Sequence, residues 1–182
     1  SLIKGRVLTR LRFLISKVEK YEEALDYNQK ALNYLANYKS SKSYINSVND
    51  RGIIYEYMEE WDSMLHYYNL NLKLSEEFGD ASNLVYAHYN LATGYKKIDQ
   101  LKKADFHLEQ CRKKALKSSN KIMLMFTYIG LADIAYKQNR LREGLNWLAK
   151  MDDEEFGFDI LHDQEELRSK IYQKLGEYRL AY

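Results

Sequence analysis

Tyr21-Glu-Glu-Ala-Leu-Asp-Tyr27 returns three times along this chain of 182 residues, as Trp61-Asp-Ser-Met-Leu-His-Tyr67, Leu101-Lys-Lys-Ala-Asp-Phe-His107 and Leu141-Arg-Glu-Gly-Leu-Asn-Trp147. Successive copies start 40 residues apart, and a fifth, Tyr178-Arg-Leu-Ala-Tyr182, starts 37 residues after the fourth. Upstream of each copy lies a second apolar run: Val48, Gly52 and Tyr55; His88, Leu91, Ala92 and Tyr95; Tyr128, Leu131, Ala132 and Tyr136; Leu167, Ile171 and Tyr172. Spacings of three, four and seven place such residues on one face of a helix. Each repeat therefore reads as helix A, a short joint and helix B. A period of this size in helical pattern marks a solenoid.

The joints are marked by Glu59-Glu60, Asp99-Gln100, Asn139-Arg140 and Gly176-Glu177. Phe78-Gly79-Asp80 reads as a stop followed by a start, because Gly79 can adopt the left-handed conformation and the Asp80 carboxylate can cap the next helix. With joints of a few residues, each helix has about 17 residues and is roughly 25 Å long. The repeats fall near 5–40, 45–80, 85–120, 125–160 and 162–182, the last being partial. The reading is all-α: one domain over 1–182, a solenoid of antiparallel helix pairs with about four and a half repeats.

Composition agrees. The chain is 46% hydrophobic and 30% charged and has no proline, as expected of long helices with tight joints. Its 28 Lys and Arg against 26 Asp and Glu give no global field for nucleic acid or anionic lipid. Its longest apolar stretches, such as Ile122 to Met125, fall far short of the roughly 20 residues a membrane helix needs. Neither a nucleic-acid partner nor membrane insertion is expected. The single cysteine, Cys111, leaves the compartment open. The cytoplasm is the expectation, with the periplasm open if the chain is part of a sensor.

Counted from Gly5, Ile45, Val85, Met125 and His162, the small and large residues resemble the tetratricopeptide repeat family along the whole chain. The eighth place, small in that family so that helices A and B can touch, holds Gly52, Ala92, Ala132 and Ser169; the twentieth holds Ala24, Met64, Ala104, Gly144 and Ala181. Bulky residues alternate with them, at the eleventh place (Tyr55, Tyr95, Tyr172), the seventeenth (Tyr21, Trp61, Leu101, Leu141, Tyr178) and the twenty-fourth (Tyr68, Leu108, Leu148). Arg12, Arg51 and Asn71 depart from the pattern. The family's usual period is 34 and its proline after helix B is missing here, so the likeness is to the 40-residue subclass found in bacterial signalling and regulatory proteins.

No residue set points to catalysis or to a cofactor. No GxxxxGK[ST], GxGxxG or GxSxG occurs, and His66, His88, His107 and His162 show no i, i+4 pair of histidines of the kind zinc sites use. His66 and His162 read as surface residues and His88 as packing. Cys111, at a small place of the repeat, reads as a buried thiol. Asp152-Asp153-Glu154-Glu155 lacks the spacing of a calcium loop and reads as the solvated end of a short helix B. Lys4, Arg6, Arg10, Arg12, Lys17 and Lys20 spread around the first helix as a solvated surface. No cofactor, metal or enzymatic activity is expected.

The resemblance implies a right-handed superhelical solenoid and a protein-interaction scaffold that takes a peptide segment or a neighbouring domain in a concave groove lined by helix A. The inward places would hold Asn46, Asn49, Asp50, Ile53 and Tyr57 from the second repeat. They would hold Tyr86, Tyr89, Asn90, Thr93 and Lys97 from the third, and Phe126, Ile129, Asp133 and Lys137 from the fourth. The carboxylate clamp of some family members is absent: Asn90 and Lys97 match in type, but Asn49, Ile53, Phe126 and Gly130 do not. The alternative is a sensory or regulatory region of a larger signalling protein, a histidine kinase or a transcription regulator. The chain itself reads as a fragment of a longer protein. Ile171, Tyr172, Leu175, Tyr178 and Leu180 are expected to lack cover at the last repeat, which would then fray or pair with another copy.

Overall fold

The computed structural model describes residues 20–151 and 158–177, and these hold helices joined by turns. The helices are α1 (Tyr21–Leu35), α2 (Lys42–Tyr57), α3 (Trp61–Glu77), α4 (Ala81–Lys97), α5 (Leu101–Lys117), α6 (Lys121–Lys137), α7 (Leu141–Ala149) and α8 (Phe158–Leu175), with a 3₁₀ turn at Ala36–Tyr38. Four of them, α3 to α6, have the expected 17 residues. The chain divides into two compact units, residues 1–100 and 101–182. The helices of the second and fourth repeats each fall within one unit, and those of the third are shared between the two.

One kind of turn is repeated throughout. Glu59, Gly79, Asp99, Ser119 and Asn139, spaced twenty residues apart, all have φ between 52° and 66°, and Gly176 has 77°. At the first of them Glu60 N–H donates to Tyr55 O at 2.9 Å and Glu59 N–H to Glu56 O at 3.2 Å, the paired bonds of a Schellman stop. The same two bonds recur at all five other sites. Three helices that open a repeat, α2, α4 and α6, also carry a side-chain cap. Ser41, Asp80 and Asn120 accept from the backbone N–H of Tyr44, Asn83 and Met123 at 3.2, 3.0 and 3.1 Å. No cap side chain bonds at Lys20, Glu60 or Arg140, which open α1, α3 and α7.

In the N-terminal unit α2 packs on α1 and α3, and α3 packs on α4. Ile45, Val48 and Leu74 form one buried cluster, Met64, Tyr68 and Leu91 another. Each fully buried side chain of this kind stabilises by roughly 1.5–3 kcal/mol. Two buried amides tie the same helix from both sides: Asn28 donates to Ser47 O at 2.8 Å and Asn71 to Ile45 O at 2.9 Å. Asn71 thus has a hydrogen bond where the family keeps a small residue. Arg51 likewise replaces an expected leucine and is half-buried: Nη1 donates to Gln29 Oε1 at 2.7 Å, and the guanidinium lies 5.3 Å from the Tyr67 ring centre.

In the C-terminal unit α6 packs on α5, α7 and α8. Met125, Ala132, Leu148, Met151, Leu167 and Ile171 form its core. The expected small-residue pairing is visible at Gly144, where an added Cβ would lie 3.3 Å from Ala132 O. Cys111 is buried, with Sγ 3.2 Å from Thr127 Oγ1, and burial pushes its thiol up to about 11. One expectation is corrected. Ile171 is fully buried, and Leu175 packs on the same cluster, because α8 lies against α7 and α6. Tyr178 and Leu180 lie outside the described residues, as do the acidic run at 152–155 and the basic cluster of the first helix apart from Lys20.

Candidate ligand-binding face

The proposed groove residues recur every three or four places along α2, α4 and α6, so each helix presents them as a stripe. None of them is fully buried. In the N-terminal unit two stripes meet: Asn90 Nδ2 of α4 donates to Asn49 Oδ1 of α2 at 2.6 Å. That bond leaves the Asn49 amide nitrogen and the Asn90 amide oxygen, a donor beside an acceptor, which is the complement of a peptide unit. Tyr86 is 47% exposed and Tyr57 49% exposed. The Tyr57 ring stacks on Tyr21 of α1, with centroids 6.1 Å apart and an interplanar angle of 9°. Stacking holds the ring as a wall while one face stays accessible.

Asn46, Asp50, Tyr89 and Thr93 are half-buried beside these residues, and Lys97 is exposed at the end of α4. Ile53 sits lower and packs against the Met64, Tyr68 and Leu91 cluster. In the C-terminal unit Phe126, Ile129 and Asp133 are half-buried on α6 and Lys137 is exposed. Ile129 also packs against the core of that unit. The sequence reading missed the Tyr21 contribution. Tyr21 opens a helix B, where the sequence marks it only as a bulky place of the repeat, and the stacking distance reveals its contact with Tyr57.

The titratable groups with displaced affinities lie mainly off these stripes. Burial raises the Asp105 carboxyl, opposed by Arg140, and lowers the His107 imidazole. Burial also raises the Tyr68 phenol, and the Glu56 carboxylate adds to the effect, so Tyr68 stays a donor to Glu56 Oε2 at 2.6 Å. His88 is buried, as packing requires, while His66 and His162 are exposed. Among the described residues no group of three or more His, Cys, Asp or Glu could hold a metal ion, and no helix is long and apolar enough to cross a membrane.

No protein-family model matches the chain, and no curated protein matches it by sequence. Solved structures do match. The apo form of RapI aligns with a TM-score of 0.87 at 17% identity, over 98% of this chain and 50% of that one. A putative kinesin light chain from Podosopora anserina with nearly identical TPR-like repeats aligns with a TM-score of 0.80 at 16% identity, over 100% and 91%. The fold is TPR-like. A signal transduction ATPase with numerous domains and a tetratricopeptide repeat sensor, from Pyrococcus horikoshii, aligns with a TM-score of 0.74 at 14% identity, over 99% and 25%. At these identities the TPR-like likeness concerns the fold alone. The chain spans half the length of RapI and a quarter of the Pyrococcus protein.

Proposed function

We propose that this TPR-like chain is a protein-interaction scaffold whose helix-A stripes hold a partner polypeptide, either an extended segment or a neighbouring domain. The observation that carries the reading is the Asn49–Asn90 pair, which joins two stripes and offers one donor and one acceptor beside the exposed rings of Tyr57 and Tyr86. Amides satisfy a peptide backbone, aromatic rings cover its side chains, and a few such residues near the centre of an interface carry most of the binding energy. A second reading, a sensory region of a larger signalling protein, is supported by the Pyrococcus neighbour, whose repeat region is described as a sensor. The two readings share the same ligand-binding face and differ in what adjoins it.

The test is a peptide selected from a displayed library against the intact chain, followed by titration of Tyr89→Ala with Asn90→Ala. Affinity is expected to fall at least tenfold while helix content and melting temperature hold, since both positions are half-buried on the stripe. Unaltered affinity removes the stripe from the interface. Loss of folding together with binding would show that the face has been misassigned. Retention on nucleic acid that weakens steeply with salt would favour a different partner class.

A further inference from the structure

The seventh place of the repeat is a core position. Leu91 and Leu131 hold it in the third and fourth repeats and are 0% and 2% exposed, whereas the second repeat puts Arg51 there, half-buried. A charge at an apolar place breaks local consistency, and such breaks concentrate at functional sites. The side chain is nonetheless held firmly. Nη1 donates to Gln29 Oε1 at 2.7 Å and, at 3.4 Å, to Asn28 Oδ1. Gln29 is itself fixed, because its Nε2 donates to Asn33 Oδ1 at 3.0 Å. The guanidinium carbon lies 6.0 Å from the Tyr55 ring centre and 5.3 Å from that of Tyr67, and these two rings stack at 5.5 Å.

What this network lacks is negative charge. The partners of Arg51 are neutral amides and phenol rings, and no carboxylate among the described residues pairs with it. On the neighbouring turns Asp26 is paired with Lys30 at 2.5 Å, and Glu56 accepts from Tyr68. The Nη1 donors are in use. Nε is buried without a partner, and Nη2 makes no hydrogen bond to a described residue. Nε and Nη2 form one edge of the guanidinium plane, an edge that can grip both oxygens of a carboxylate through parallel bonds. A buried donor left unmade is unfavourable, and a guanidinium already fixed by its neighbours has little further freedom to lose on binding. Arg51 stands two residues beyond Asn49, so it is turned about 200° around α2 from the helix-A stripe.

We propose that Arg51, held by Gln29 and by the Tyr55 and Tyr67 rings, is a carboxylate-binding site, separate from the helix-A stripes and independent of the reading given to them. The carboxylate comes from a glutamate or aspartate side chain of a partner polypeptide or from a small free acid. One oxygen accepts from Nη2 and the other from Nε, which thereby gains the partner it lacks. A carboxylate fits better than a phosphate, because the planar fork matches two coplanar oxygens and a single arginine balances a single negative charge.

The experiment follows the arginine Nε–H signals of the whole isotope-labelled chain by nuclear magnetic resonance, that of Arg51 being the one missing in Arg51→Gln. The probes are acetate, inorganic phosphate and a short end-capped alanine peptide carrying one glutamate. The Arg51 signal is expected to move downfield with the peptide and with acetate, and to stay in place with the same peptide carrying glutamine. Saturation at lower concentration by the peptide supports a polypeptide source, and by acetate a free acid. The side-chain amide signals of Gln29, present in every variant, give the affinities. Added salt should weaken binding. Arg51→Lys keeps the charge but loses the fork, so affinity should fall at least tenfold. Arg51→Leu restores the residue of the third and fourth repeats and should abolish binding while the circular dichroism spectrum holds. If that variant misfolds, Arg51→Gln carries the same comparison. The proposal is overturned if the Arg51 signal ignores the glutamate peptide at millimolar concentration, if the glutamine peptide moves it equally, or if phosphate saturates it at a tenth of the acetate concentration. Residues 1–19 contain one carboxylate, Glu19. A response seen only in Glu19→Gln would assign the site to the chain's own residue and overturn the external ligand.

Discussion

Gly52 and Gly94 both lie inside helices, and an alanine at either place has opposite consequences. A Cβ on Gly52 would lie 2.5 Å from Cδ1 of Tyr68 and 2.6 Å from its Cε1. The ring cannot retreat, because Tyr68 is buried and its hydroxyl donates to Glu56. Overpacking a rigid site costs about 1–3 kcal/mol, and alanine's better helix propensity returns about 1 kcal/mol of this. Gly52→Ala should therefore lose up to about 2 kcal/mol in urea denaturation. A Cβ on Gly94 would instead meet Met64 Cε at 2.9 Å and Leu65 Cδ2 at 3.2 Å. Those are the far ends of side chains, and an unbranched thioether turns aside readily. Here the propensity gain should dominate, leaving Gly94→Ala unchanged or up to about 1 kcal/mol more stable. Equal losses at both sites would contradict this account of the packing. Met64 occupies a place the repeat normally keeps small, and Gly94 supplies the compensating space. That exchange was not legible from the pattern of either position alone.

At the scale of the elements, the turns specify the repeat as firmly as the core does. Glycine supplies the left-handed residue at Gly79 and Gly176, while Glu59, Asp99, Ser119 and Asn139 adopt the same conformation with a Cβ present. A non-glycine residue there carries a steric cost of roughly 1–2 kcal/mol, least for asparagine and aspartate. Ser119→Gly should thus stabilise by up to about 1 kcal/mol, and Gly79→Ala should destabilise by about the same amount. An added Cβ at Gly79 meets nothing within 4 Å, so the second effect would come from the backbone alone. Shifts in the urea midpoint check both, and a loss of stability in Ser119→Gly would show that the serine makes contacts the turn needs. Most of these joints were legible in the sequence. Gly79-Asp80 announced itself through residue chemistry, and Glu59, Asp99 and Asn139 through the break in apolar spacing. Ser119 was not read as a joint, because serine is neutral there and Lys117-Ser-Ser-Asn120 continues a polar run. The caps at Ser41 and Asn120 were readable in principle, each three residues before the backbone N–H it accepts from.

For the molecule as a whole, the repetition made the fold legible, since each hairpin restates the same pairing of small and large residues. The helix-A stripes followed from the same register, but the Asn49–Asn90 bond did not, because it depends on a distance between helices. Repeat arrays have one further collective property: each helix is stabilised by its neighbours, so protection should follow the number of helices that cover it. In the C-terminal unit α6 packs against α5, α7 and α8 and buries seven residues, from Met123 to Ala135. Helix α7 has nine residues, of which Gly144 and Leu148 are buried. Hydrogen exchange should therefore be slowest along the centre of α6 and at least tenfold faster in α7. In the N-terminal unit α3 has α2 on one side and α4 on the other, and its centre should likewise exchange slowly. Opening within a unit would then be graded, and denaturant transitions monitored at different helices would not coincide. Uniform protection of α6 and α7, with coincident transitions, would mean that the unit opens all at once and that coverage by neighbours does not set local stability here.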